Sequence, residues 1–429
     1  MKQLLKNRII SELYYLILLF PLWWVLGMEQ FIWFIAVVLI FIQFCIYNKA
    51  KFRINIITLV FIFFLFVYGI SFFSITEKMR YITYFRNLST YLTAFMILTI
   101  TWNVIEKWWQ IEKLLKAVVV VMLIASIVGV LGFSFDLFRI QFKSLTGYFM
   151  PDIIAKTGYG SVISSRNIGF YNWFMGIGTY FRVSSFFLYS TMFSSSLAIT
   201  LPVVLFLVNI NKGLTRMFYT VSFSVIFLAL ILTTGRVAIM AFFVGYIIFR
   251  FILIKSFAIK SSILLVIFII SSSFLIWLEQ TGFLYQIIDL LLYSRGEGSA
   301  NARSKIYSQT FDSFLERPIF GWGTERDAKG LAYPLGSHSY YLGTLYKQGI
   351  AGLTLFITIL VLIWNKLKVK VYLDNNYTQF LKYGKFLMLI YFINSFTDVL
   401  DLDATTMFFL WVILSLLIVA KRIHTTIEN

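Results

Sequence analysis

Apolar runs of bilayer length set the limits on what this chain can fold into. About twelve of them, at 9–27, 31–47, 54–75, 88–105, 116–135, 186–209, 217–234, 236–254, 260–279, 339–364, 381–396 and 404–421, are parted by polar stretches. A helix crosses the hydrocarbon core with roughly 20 residues, and in lipid every backbone polar group must find its partner inside the fold. The runs are continuously apolar and do not alternate, so helices are predicted and a β-barrel is not. With 60% hydrophobic and only 13% charged residues among 429, the composition lies far outside the soluble range. The expected fold is an all-α polytopic membrane protein of about twelve transmembrane helices, one integral membrane domain over 1–429.

Smaller signals agree. Trp23, Trp24, Trp108, Trp109 and Trp364 sit at run ends, where an amphipathic ring is half wet. The first run is span-length and no small-residue cleavage site follows it, so it is expected to stay as a helix. Cys45 is the single cysteine and lies within a run, which excludes disulfides and thiolate metal sites.

Lysine and arginine in short loops set the orientation. With the N-terminus in the cytoplasm, the inside loops hold Lys2, Lys6 and Arg8; Lys49, Lys51 and Arg53; Lys107, Lys113 and Lys116; Lys212 and Arg216; Arg250, Lys255 and Lys260; Lys366, Lys368, Lys370, Lys382 and Lys385; and Lys421 and Arg422. That is more than half of the 37 basic residues, repeating at every second loop, and it predicts both termini inside. The +18 net charge therefore belongs largely to membrane-flanking loops and implies no nucleic-acid partner. The remaining basic residues fall mainly in two long outer loops, 136–185 and 280–338.

Within those outer parts, a few ionisable residues stand against apolar runs. Arg182 precedes the run at 186, Arg236 follows Thr233-Thr234-Gly235 at a tip between two runs, and Arg303 opens a segment from Asn301 to Glu316 with helical spacing of Ile306, Tyr307, Phe311, Phe314 and Leu315. That segment is predicted as a surface helix ending before Pro318. The polar island Glu316–Gly352 carries His338, one of two histidines, just before the chain re-enters an apolar run. Guanidinium offers a planar donor fork of permanent charge, the group suited to a phosphate ester. Imidazole titrates near neutral pH and suits proton transfer or acceptor orientation. The bland alternative for each arginine is snorkelling or a local cap, and for His338 a cap on the following helix. His424, in the polar C-terminal tail, is expected to be solvated. Asp401-Leu402-Asp403, with Asp398, forms an acidic cluster whose DxD spacing could hold a divalent metal, and Gly321-Trp322-Gly323 reads as a turn and not a nucleotide loop.

Four ordered patches at these residues resemble the O-antigen polymerase and ligase family, membrane enzymes that join lipid-linked polysaccharide units. They are Arg182 with Ser185-Phe186; Thr234-Gly235-Arg236; Arg303 through Pro318-Ile319-Phe320-Gly321-Trp322-Gly323; and His338-Ser339-Tyr340-Tyr341-Leu342 through Gly349-Ile350-Ala351-Gly352. They are similar to the family's Arg-x-x-Gly-x-Phe, Thr-x-Ser-Arg, Arg…Pro…Gly-x-Gly and His-Asn-x-(Tyr/Phe)-Leu…Gly-x-x-Gly stretches, and cover about 180–355. Ser185 stands where the family commonly has Gly, and Ser339 where it has Asn. The resemblance implies a metal- and cofactor-independent, inverting glycosyl transfer from an undecaprenyl-diphosphate-linked oligosaccharide. Arg182, Arg236 and Arg303 would hold the diphosphate, and His338 with Arg303 would serve catalysis. It also implies a place in the cytoplasmic membrane with an extracytoplasmic site, alongside membrane lipids and a chain-length regulator and flippase of the same pathway. Lys-, Ile-, Asn- and Phe-rich usage favours a capsule or exopolysaccharide polymerase over a ligase. The competing classes are a ligase, a polysaccharide flippase or other transporter, and a metal-dependent glycosyltransferase using Asp401 and Asp403.

Overall fold

The computed structural model describes residues 2–47, 52–78, 80–173, 179–254, 256, 259–262, 297–331, 333–368, 375–398 and 400–428. Its helices are α1 (Lys2–Leu18), α2 (Phe20–Leu26), α3 (Ile32–Tyr47), α4 (Ile56–Ser71), α5 (Arg80–Val104), α6 (Trp108–Ser134), three short outer ones, α7 (Leu145–Phe149), α8 (Asp152–Ala155) and α9 (Gly158–Ser164), then α10 (Ser190–Ile210), α11 (Gly213–Leu232), α12 (Arg236–Leu253), α13 (Glu297–Glu316), α14 (Tyr340–Lys366), α15 (Asn376–Asn394) and α16 (Ala404–Glu428). Every apolar run except the ninth carries one or more of these; residues 263–296, which include most of the run 260–279 and the loop stretch after it, lie outside the described residues. Among the described residues seven helices are long and apolar enough to cross a membrane, with an eighth if α1 and α2 form one bent span, while α3 is a shorter apolar helix. The chain is thus a helical, multi-pass membrane protein.

Packing follows hydropathy. The helices α10 and α16 are apolar on nearly every face and are buried nearly all round, whereas α11 and α12 present one buried stripe and leave apolar residues such as Met217, Val221, Phe243 and Ile247 outward. The helix α16 packs on α5, α14 on α4, and α10 on both α11 and α15. Deep in this core Trp33 stacks on Phe408, with ring centroids 4.1 Å apart.

Three departures from the predicted outline have local causes. The first run is bent by 54° between α1 and α2. Pro21 sits in the first turn of α2, a position where its missing N–H costs nothing but where the preceding helix cannot continue. The expectation of an all-α chain is corrected in the first outer loop, which forms two small antiparallel ladders, β1 (Gln141–Lys143) with β2 (Ser165–Asn167) and β3 (Gly169–Trp173) with β4 (Thr179–Val183). The run 339–364 is a broken helix. Gly349 takes φ 67° and ψ −169° inside α14, and the Pro318–Gly323 strap docks at the break. Ile350 N–H donates to Pro318 O at 2.8 Å and Ala351 N–H to Ile319 O at 3.2 Å, while Trp322 N–H donates to Tyr346 O at 3.0 Å and Gly323 N–H to Lys347 O at 2.8 Å. A Cβ on Gly349 would lie 2.2 Å from Ile319 O, so only glycine allows this backbone-to-backbone approach.

The two ends of the bundle differ in chemistry. One gathers the N-termini of α10, α12, α14 and α16 with the C-terminus of α15 and the ladders. At the other, Lys6 pairs with Glu106, and Arg422 donates to the carbonyls of Trp102 and Ile105. His424, expected in solvent, is buried there and shares a 3.0 Å hydrogen bond with Thr378 Oγ1, because α16 runs on past the apolar run and packs its last turns against α15.

Candidate active site

Arg182 is set by the second ladder. In β4 it pairs with Phe170 of β3, and its Nε donates to Thr233 O at 3.2 Å, reaching the turn between α11 and α12. The amides of Ser184 and Ser185 both donate to Ile168 O, at 3.0 and 2.8 Å, which ends the strand in a tight corner. Ser185 sits there at φ 48°, a conformation glycine adopts without cost, and its Oγ donates to Ala125 O of α6 at 2.7 Å. The serine thus fills a glycine-type position and replaces conformational ease with an anchoring bond.

Arg236 is the first residue of α12. The turn before it is locked by Thr233 Oγ1, which donates to Leu230 O at 2.6 Å and accepts from Gly235 N–H at 3.2 Å, with Thr234 at φ 52°. A Cβ on Gly235 would stand 2.3 Å from Ser194 Oγ on α10. Gly235→Ala should therefore push the turn off α10 and lower activity at least tenfold through misplaced Arg236, with Ser194→Gly restoring much of it. Measured rates of the single and double variants check this, and no rescue by the second change would sink the steric account.

Arg303 lies on α13, one turn before Tyr307. The Tyr307 hydroxyl donates to the backbone carbonyl of His338 at 2.6 Å, and Thr310 Oγ1 accepts from Gly336 N–H at 3.0 Å, so α13 grips the loop leading into α14. The predicted surface helix is present and ends before Pro318. Its inner face buries Ile306 while Phe311 and Leu315 stay exposed. His338 has φ 63° and packs edge-on against Tyr333 with centroids 4.8 Å apart. It is not the helix cap: Ser339 is, accepting from Leu342 N–H at 3.3 Å. Serine and asparagine cap about equally well, so either residue at position 339 could close this helix.

These four residues meet. Arg182 feels the charge of Arg236 and of Asp398, Arg236 that of Arg303, and Arg303 acts on both His338 and Asp398. Asp398 follows α15, its N–H donating to Asn394 O at 3.1 Å and its carboxylate hydrogen-bonded to Ser195 of α10. Sequence reading put Asp398 in an acidic cluster; the fold instead places it with the arginines. Burial raises its carboxyl to about 6, with Arg303 and Arg182 holding it from going higher. Burial, and then repulsion by Arg303, lowers His338 to about 4, so its imidazole is neutral at pH 7. Burial also lowers the Arg182 guanidinium. Among the described residues the non-glycine positions with left-handed φ are Ser185, Thr234 and His338, each in one of the segments that carry these groups. Such strain, roughly 1–2 kcal/mol per residue, collects where a site over-determines its backbone.

Asp401 and Asp403 belong to other networks. Asp401 Oδ2 accepts from Lys347 Nζ at 2.5 Å and from Tyr91 at 2.9 Å, and Lys347 also faces Glu325 at 3.6 Å. Asp403 accepts from Gln30 Nε2 and from Thr406 Oγ1, both at 2.5 Å. Beside it Glu29 and Arg166 form a buried two-pronged pair at 2.8 and 2.7 Å, which pins β2 to the α2–α3 turn. The two carboxylates of the DxD thus serve separate protein donors, and among the described residues no group of three or more His, Cys, Asp and Glu is placed to share a metal ion.

No curated protein matches the chain. Residues 221–357, which hold Arg236, Arg303 and His338, match the family model for O-antigen ligase, and this match supports the resemblance to the O-antigen polymerase and ligase family.

Proposed function

We propose that this protein polymerises glycans on the outer face of the cytoplasmic membrane, joining undecaprenyl-diphosphate-linked oligosaccharide units into O-antigen, capsular polysaccharide or exopolysaccharide. The observation that supports it is the convergence of three arginines, one carboxylate and a neutral imidazole at a single end of an apolar bundle. Lipid diphosphate has its charge at headgroup depth and its chain in the bilayer, which matches that placement. In the proposed step an acceptor hydroxyl oxygen bonds to the donor's anomeric carbon with inversion. The bond to the diphosphate oxygen breaks, and the departing diphosphate keeps the electron pair. Arg182, Arg236 and Arg303 stabilise that growing charge. His338 accepts the hydrogen bond of the attacking hydroxyl, orients it and takes up its proton late in the step. Asp398 holds the guanidinium groups in register and is the stronger proton acceptor of the two. The basic residues in the short loops at the opposite end support the reading that this end faces outward.

The family description favours a second reading, transfer of a finished glycan to another lipid acceptor. Incubating the purified protein with isolated lipid-diphosphate oligosaccharide separates the two: a ladder of products supports polymerisation, and a single transfer to an added acceptor lipid supports ligation. Failure of both with active donor would refute the class of reaction.

The pH profile follows from the site. His338 is neutral throughout pH 5–8 and should add no break in that range, whereas Asp398 should give an acid limb near pH 6 as its carboxylate takes up a proton. Asp398→Asn should lower the rate and flatten that limb. An unchanged limb in this variant would show that another group titrates.

A further inference from the structure

At the end of the bundle opposite the arginine site, a cavity of about 570 Å³ opens between the last turn of α12, the segment after it and the first half of α15. Among the described residues Arg250, Lys260, Lys382 and Lys385 line it and no carboxylate does, and its apolar wall includes Phe249 and Leu253. From this geometry we infer that the cavity binds the phosphate headgroup of an anionic membrane phospholipid.

Several independent features lead there. Arg250, Lys260 and Lys385, brought to one cavity from separate elements, repel one another, and an anion between them converts that repulsion into attraction. Topological charge bias alone asks only for basic residues near the membrane end and has no use for a shared concave site. The wall is amphipathic, which suits a headgroup bonded to a glycerol backbone better than a soluble ion. Above Arg250 the outward face of α12 continues in exposed Phe243, Val244 and Ile247, one helical face along which acyl chains can lie. Arg250 is in the last turn of α12, where the helix carbonyls favour a cation, and donates to the Tyr246 hydroxyl at 3.5 Å, which turns its fork toward the same face. Basic pockets between membrane helices are a recurring way of holding anionic headgroups.

The test uses full-length protein in phosphatidylcholine nanodiscs and phosphatidylglycerol spin-labelled on its acyl chain as the probe. The wild type should enrich the probe over labelled phosphatidylcholine, and Lys382→Gln/Lys385→Gln should weaken that preference roughly 30-fold, two lysines' worth of headgroup attraction. Arg250→Gln, at an exposed helix end, should weaken it several-fold and serves if the double variant folds poorly. Lys212→Gln/Arg216→Gln removes the same charge from exposed residues outside the cavity and should leave the preference intact. Equal loss in both double variants would reduce the effect to general surface attraction and overturn the site. Equal binding of the two labelled lipids would overturn it too. Full displacement of the probe by millimolar inorganic phosphate would assign a soluble anion and overturn the lipid.

Discussion

Replacing Arg303 by alanine should lower the turnover number of the proposed transfer about 10²–10³-fold, the cost of removing one donor aimed at developing charge. Arg303 is the group in contact, electrostatically, with Arg236, His338 and Asp398 at once, so its loss undoes the mutual arrangement as well as one charge. Arg303→Lys should recover little, because an ammonium is a point charge and cannot reproduce the two-pronged donor geometry. The same holds for Arg236→Lys. Single-turnover rates with lipid-linked oligosaccharide, alongside an unchanged melting temperature, are the measurement. Rates within about threefold of wild type for Arg303→Ala would remove this arginine from the proposed chemistry.

Lys347→Met should be the most destabilising of the single changes considered, by about 3–5 kcal/mol, because it leaves a buried carboxylate without its cation. Lys347 is fully enclosed; its ammonium bonds Asp401 in the turn after α15 and faces Glu325 just past the Gly323 end of the strap. It therefore ties two arms of the site: the strap region that leads to His338, and the turn that carries Asp398. The double variant Lys347→Met/Asp401→Asn removes both charges and should regain a large part of the loss, since replacing a buried pair by neutral groups is often close to neutral in stability. Unfolding midpoints in one detergent give the comparison. A Lys347→Met protein within about 1 kcal/mol of wild type would show that the pair contributes little.

Much of the helical layout was legible because lipid leaves few options for an apolar run. The residues that meet at the site were legible for a similar reason: Arg182, Arg236, Arg303 and His338 stand out as charge or imidazole set against runs with almost none. Asp398 was harder. It sits three residues from Asp401, and nearness in sequence suggested one acidic cluster, whereas the three aspartates face three different directions, one to Arg182 and Arg303, one to Lys347 and one to Gln30. The signal that could have found it was the derived topology, which already put its turn at the same end as the arginines. The Glu29–Arg166 pair had no such signal, since its partners are far apart in sequence and each reads alone as a solvated loop charge. The Gly349 break was hidden because hydropathy runs straight through it, and the Gly-Ile-Ala-Gly block says that glycine is needed without saying which strand it meets.

The strap at that break has a consequence for how the outer region can vary. Its four hydrogen bonds fix the spacing from Pro318 to Gly323 against α14 residue by residue. An inserted or deleted residue there would shift every donor off its acceptor and expose the open backbone of a membrane helix. Length change is therefore excluded from the strap, and the stretch from Pro318 to Gly323 must keep a constant measure against α14.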